Sequence, residues 1–303
     1  PNSLAYRDGF VVVSNIDFDG VFTGEPDQEG SIRTLRLTPE GNLRGVPLST
    51  RRLENRPSAV QFTADGSHVV VASINAGSAA LASQSEDELV VFAIDGVGRP
   101  SRIPTGTGVS TLRNNPQNRN LASAIGFEIV ESNGAEYVVV TEAREFQADG
   151  SPPAFPALQT GSVSTWELLP SGELTPIMLD VLAGDDLFDG QRTACWIEFS
   201  ADEQTFWVSN ALESTISAYS FNNGQISLIE AVAAAGTGPA LGDPFGTTEG
   251  WIDMWISDDG RFLYQLFGLD GSIGVYAING TSLTHVQTVS DLPTENTQGI
   301  VAF

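Results

Sequence analysis

The chain has 303 residues, with 38 Asp and Glu against 14 basic residues, a formal net charge of −24, and every basic residue is an arginine. An acidic excess of this size excludes non-specific nucleic-acid binding and docking on an anionic membrane as default roles, because both need clustered positive charge. One cysteine, Cys195, excludes an internal disulfide, a thiol redox pair and a cysteine-rich zinc site, and no apolar run reaches the roughly 18 residues that a membrane-spanning helix needs.

Taken in chain order, the sequence repeats one pattern: an alternating apolar strand, a short Asp/Gly turn, a second strand rich in Val, Phe or Trp, then two more strands. The first copy, over residues 1–49, opens with Leu4 and Tyr6, turns at Asp8-Gly9 and continues through Phe10 to Asn15, with a third strand from Ser31 to Leu37 and a turn at Pro39-Glu-Gly41. The second, over 57–105, runs from Ser58 to Ala72 around Asp65-Gly66. The third, over 121–178, has strands at Ser123–Phe127, Tyr137–Thr141 and Ser162–Leu168, with a turn at Pro170-Ser-Gly172. The fourth, over 193–232, runs from Cys195 to Asn210 and from Thr215 to Phe221, turning at Asn222-Asn-Gly224. The fifth, over 249–290, runs from Ile252 to Tyr264 and from Ser272 to Ile278, turning at Asn279-Gly280. Asn-Gly and Pro-x-Gly turns supply the positive φ angles of tight hairpins. Each unit therefore reads as a four-stranded antiparallel meander, and units of this kind repeated around an axis form an all-β propeller.

The residue two before the last apolar residue of each first strand reads Leu4, Val60, Ile125, Ile197, Met254 and Val301, all apolar and all expected in the core. The last belongs to a lone closing strand over 297–303. An orphan strand exposes a pairing edge. The expectation is that an N-terminal segment of at least three strands, with a further blade for a seven-bladed ring, completes the ring to six or seven blades, as part of the same chain or as a separate fragment. The alternative is a five-bladed ring whose last strand augments an existing blade.

The stretch Phe199-Ser-Ala-Asp-Glu203, with Trp207-Val-Ser-Asn210 and Ile216-Ser-Ala-Tyr-Ser-Phe221, resembles the lactonase-type seven-bladed propellers, the family of 6-phosphogluconolactonases and 3-carboxy-cis,cis-muconate lactonising enzymes. Phe62-Thr-Ala-Asp-Gly66 and the ending from Leu292 to Ala302 carry the same likeness. The resemblance spans essentially the whole chain through framework motifs, which specify fold better than chemistry. It implies a lactonase-like hydrolase or cycloisomerase acting on a small carboxylated or lactone substrate. The family's proposed catalytic groups include histidine, arginine and glutamate near the axis. This chain has two histidines. His68 follows a turn and His285 sits in an outer strand, both read as solvated, so neither is carried over as catalytic.

Long connections are expected at 17–29, 46–56, 76–87, 104–120, 144–160, 177–192 and 231–248, and long loops on a rigid scaffold are where sites sit. Arg51, Arg52, Arg56, Arg113, Arg119, Arg144 and Arg192 fall in or beside them. A guanidinium fork recognises carboxylate and phosphate bidentately, so Arg56, Arg144 and Arg192 are the candidates for holding a small anionic substrate. Alternation turns Gln61, Glu198 and Asp253 of the first strands toward the axis. Two carboxylates in a low-dielectric funnel can divide into an acid and a base, which makes Glu198 and Asp253, with Glu142 and Glu249 at blade mouths, the acid/base candidates. Asn15, Asp17 and Asp19 reproduce the opening of a calcium loop but meet Pro26 where the loop needs its bidentate Glu. A second acidic loop holds Asp185, Asp186 and Asp189. No cofactor is required by this reading, calcium being the one ion it admits. Cys195 reads as a small buried hydrophobe. The composition points to an extracellular protein, with a cytoplasmic one as the alternative, and a non-catalytic propeller binding a ligand, glycan or protein is the alternative function.

Overall fold

The computed structural model describes residues 3–15, 30–53, 55–74, 87–112, 119–146, 159–235, 251–268, 270–293 and 299–300. Among them the chain forms five four-stranded sheets, each a meander in which neighbours in sequence are neighbours in the sheet. Sheet 1 holds β1 (Ser3–Arg7), β2 (Phe10–Asn15), β3 (Gly30–Arg36) and β4 (Ser49–Leu53). Sheet 2 holds β5 (Arg56–Phe62), β6 (His68–Ile74), β7 (Leu89–Ala93) and β8 (Gly106–Gly108). Sheet 3 holds β9 (Leu121–Ser132), β10 (Ala135–Phe146), β11 (Ser162–Leu168) and β12 (Leu174–Leu182). Sheet 4 holds β13 (Ala194–Phe199), β14 (Thr205–Asn210), β15 (Thr215–Asn222) and β16 (Gln225–Ala235). Sheet 5 holds β17 (Trp251–Ile256), β18 (Phe262–Phe267), β19 (Ser272–Asn279) and β20 (Ser282–Val289). Among the described residues no helix is long and apolar enough to cross a membrane.

Two local devices repeat through these sheets. Tight hairpins turn on pairs with positive φ at both residues, as type I′ turns require: Asp8 (49°) and Gly9 (82°), Asn133 (52°) and Gly134 (80°), Asn223 (52°) and Gly224 (78°). Turns between first and second strands carry a Ser/Thr-x-Asp clip. Thr63, Ser200 and Ser257 donate their hydroxyls to Asp65, Asp202 and Asp259 at 2.8, 2.6 and 2.7 Å. Each carboxylate also accepts a backbone N–H two residues on, from Ser67, Gln204 and Arg261. These bonds favour the ionised form, so all three acids titrate below the ordinary Asp value, Asp65 at about 2. The framework motif read in the sequence is thus a turn clip.

The chain divides into two compact units. Unit 1 comprises Pro1–Val138, Glu145–Pro153 and Trp166–Pro176; unit 2 comprises Val139–Arg144, Ala154–Thr165 and Ile177–Phe303. In unit 1, Val60 and Phe62 of β5 pack with Val12, Ile32 and Leu53 of sheet 1. In unit 2, Met254 of β17 packs with Trp207, Ile216 and Ala218 of sheet 4, and the indole of Trp207 donates to the Thr281 carbonyl at 3.1 Å. First strands neighbour one another within each unit, β1 beside β5 and β5 beside β9 in unit 1, β13 beside β17 in unit 2.

The register expected for the core holds at Val60, Ile197 and Met254, which are buried, holds in part at the half-buried Ile125, and fails at Leu4, which is 69% exposed; Val301 lies outside the described residues. At this position Val60 and Met254 pack against the sheet before them in the chain. Several expected loops are partly strand: β4 and the start of β5 occupy part of 46–56, β8 part of 104–120, β10 runs on to Phe146, and β12 and β16 run on to Leu182 and Ala235. Outer strands such as β20 stand largely in solvent on both faces, so they lack the apolar alternation by which a strand is recognised. The expected closing strand falls almost wholly outside the described residues.

Candidate active site

Asp253 lies on β17, where the register with β18 shifts between Trp251 and Asp253. Its carboxylate accepts its neighbour's N–H, from Met254, at 2.9 Å on Oδ1 and that of Ile300 at 3.0 Å on Oδ2. Its carbonyl accepts from the amide of the fully buried Gln265 at 2.9 Å. Both carboxylate bonds favour the charged form, yet removal from water outweighs them and lifts the group to about pH 6. Asp253 is therefore a carboxyl that exchanges its proton near neutrality, on a first strand and only partly covered.

Glu198 sits opposite Trp207 in the β13–β14 register and is half-buried. The two acids lie on neighbouring first strands of unit 2. They are offset along their strands, since Glu198 precedes the last residue of β13 by one and Asp253 the last of β17 by three.

Glu142 and Arg144 are brought together, but away from solvent. The longer β10 turns a predicted blade mouth and loop into strand, placing both side chains on one face with no exposure. Arg144 Nε donates to Ser162 Oγ at 2.9 Å, and its Nη2 to Glu142 Oε2 at 3.1 Å and to Asp180. Ser162 donates to the same Glu142 oxygen. The phenol of Tyr219, buried and near the charge of Glu142, is pushed well above its ordinary value. The arginine fork is thus occupied by two carboxylates and a hydroxyl, an internal clip across β10, β11 and β12.

The other two candidate arginines, Arg192 and Arg56, are also engaged or enclosed. Arg192 pairs with Glu213 through Nε, and its backbone N–H donates to the same carboxylate at 2.6 Å. Burial raises the Glu213 pKa against the opposing pull of Arg192. Arg56 is 3% exposed on β5, opposite Ile74. Asn15 ends β2 opposite Ser31; Glu249, Asp17, Asp19 and Arg113 lie outside the described residues. Asp186 accepts the N–H groups of Phe188 and Asp189 at 2.7 and 2.9 Å, which makes its loop self-capped. Among the described residues no three His, Cys, Asp or Glu side chains gather as a metal site.

His68 corrects an expectation: it is 7% exposed on β6, and its Nδ1 lies 2.7 Å from Ser67 Oγ. His285 is exposed, as an outer-strand residue should be. Glu128 was missed by the sequence reading, which ended the first strand of sheet 3 at Phe127. Gln61 donates to Glu128 Oε2 at 3.1 Å and accepts the Ile129 N–H at 3.1 Å, joining first strands β5 and β9. Its signal was the Asn133-Gly134 turn, which requires strands running up to it on both sides.

A family model described as "Lactonase, 7-bladed beta-propeller" matches residues 147–298, half of the chain. The chain belongs to this lactonase propeller family. Among solved structures, the lactonase-family chain is similar to the periplasmic gluconolactonase PpgL of Pseudomonas aeruginosa, with 19% identity and a TM-score of 0.66, covering 96% of this chain and 72% of that one. A protein provisionally assigned as a 6-phosphogluconolactonase from Bacteroides fragilis shares 16% identity at a TM-score of 0.63, over 96% and 71% of the two chains. A Lactobacillus plantarum protein shares 16% at a TM-score of 0.64, over the same 96% and 71%. At these identities the likenesses establish the propeller fold. No curated protein matches the sequence.

Proposed function

We propose that this lactonase-family propeller hydrolyses a small lactone, with Asp253 handling the proton. The observation that carries the reading is a half-buried carboxyl on a first strand whose proton affinity is set near pH 6 by burial. A general base works best when its pKa lies close to the operating pH. Ionised Asp253 takes a proton from a water molecule as its oxygen adds to the lactone carbonyl carbon. The tetrahedral adduct collapses with cleavage of the ring C–O bond, and Asp253 returns the proton to the departing ring oxygen, giving the open hydroxy acid. Glu198, on the neighbouring first strand, is the second acid of this reading.

Engagement of Arg144 and Arg192 in ion pairs favours a substrate recognised through hydroxyls over one held by a carboxylate. An aldonolactone is therefore the first compound to assay, in keeping with the gluconolactonase name of the P. aeruginosa relative. The acidic, lysine-free composition supports an extracellular setting. The test is pH-stat hydrolysis of a lactone panel. The expected result is a kcat/KM that rises to a plateau through an apparent pKa near 6 and falls at least about 100-fold in Asp253→Asn, the scale of a general-base contribution. Full activity in that variant removes Asp253 from the chemistry, and absence of turnover with a ligand retained would establish the non-catalytic binding propeller instead.

A further inference from the structure

Unit 1 contains a cationic cavity that the lactonase reading does not use. It has a volume of about 230 Å³ and is walled by Arg51 and Arg52 of β4, Arg102 of the segment after β7, Asn55, Asp87 and Ser73 of β6, over an apolar floor that includes Phe92. Three of the chain's 14 basic residues thus line one cavity of a protein with a net charge of −24, and among the described residues Asp87 is the one acid on its wall. The expectation that Arg51 and Arg52 lie in a loop hid this arrangement; on β4 they are fixed by pairing with Ile32 and Ser31.

Two buried polar atoms of this wall lack a hydrogen-bond partner among the described residues. Ser73, 1% exposed, has an unsatisfied Oγ, and Arg51 has an unsatisfied Nε. A buried donor left unpaired costs about 1–3 kcal/mol, and both of these atoms belong to residues that line the cavity. Arg51 is also anchored, its Nη2 donating to the Pro100 carbonyl at 3.3 Å. That bond ties β4 to the segment that carries Arg102, so two guanidinium groups are presented from two directions.

We propose that this cavity binds the oxyanion of a small carboxylated or phosphorylated metabolite, gripped by Arg51 and Arg102, hydrogen-bonded by Ser73, with its carbon body on Phe92. Planar guanidinium forks match carboxylate and phosphate oxygens bidentately, and the serine hydroxyl donates the remaining bond. The volume equals that of roughly eight waters at about 30 Å³ each, which suits a short hydroxy acid or a phosphate monoester. The bulk charge of the protein repels anions at long range, so binding depends on these close contacts.

Isothermal titration of the whole chain with inorganic phosphate and with succinate, each against chloride at equal ionic strength, tests the site and distinguishes the two anion chemistries. The expected result is saturable binding of at least one of them, weakened about ten-fold or more by Arg102→Gln, weakened further by adding Arg51→Gln, and reduced about three-fold by Ser73→Ala. Arg102 is exposed, so its replacement leaves the fold intact, as an unchanged circular dichroism melt will show. Asp253→Asn leaves the binding unaltered, which separates failure here from failure of the lactonase reading. Equal affinity of wild type and Arg102→Gln, or no binding beyond the chloride response, overturns the proposal.

Discussion

Replacing Arg144 by methionine keeps most of the aliphatic stem and removes the charge from the clip across β10, β11 and β12. Arg144 gives bonds to Ser162, Glu142 and Asp180, and both Arg144 and Glu142 are fully shielded from water. Bonds to charged groups contribute about 1.5–3 kcal/mol each. Removing one member of a buried ionic cluster leaves an uncompensated charge and costs about 3–5 kcal/mol in all. Arg144→Met is therefore expected to lower unfolding stability by about 3–5 kcal/mol in urea denaturation at pH 7, read by tryptophan fluorescence. The charge-free combination of Glu142→Gln, Arg144→Met and Asp180→Asn should regain most of that loss, because no ion is then left without its counter-charge. A loss below about 1 kcal/mol for Arg144→Met, or no recovery in the triple variant, would refute the account of Arg144 as an internal clip and reopen its role as a substrate arginine.

Four further outcomes follow from the same geometry. Asp253 is raised from 3.8 to about 6, so the folded state holds its proton more tightly than the unfolded chain; stability falls as pH rises from about 4 to 6, by on the order of 2 kcal/mol, and Asp253→Asn should abolish that decline in denaturation curves across the window. Asp65 has the opposite sign, since its depressed value stabilises the fold above pH 4 and is lost as pH falls toward 2; Asp65→Asn should flatten acid unfolding there. Trp207→Ala removes a fully buried indole and its bond to Thr281, which should cost about 3–5 kcal/mol and lower the melting temperature. Cys195 is a buried thiol outside any disulfide, so a thiol reagent should label it under denaturing conditions and leave the native protein unmodified.

The repeat was legible because its signals are local. Alternation along Thr215 to Phe221, the apolar runs from Phe10 to Val13 and Phe206 to Val208, and the φ demands of Asp8-Gly9 and Asn223-Gly224 are carried by adjacent residues, so sequence by itself determined the meanders and most of the core register. It could not determine the outer strands, whose side chains meet solvent, nor what Leu4 would face. The candidate site was legible in composition and illegible in environment. Asp253 was identified by its place on a first strand, but its proton affinity depends on enclosure and on the N–H of Ile300, 47 residues away. Arg144 and Arg51 are the same residue type in stretches that both read as loops. Tertiary structure made one an internal ion pair and left the other at the wall of a cavity, because the energy of a charge is set by what surrounds it, and those surroundings are assembled from distant parts of the chain.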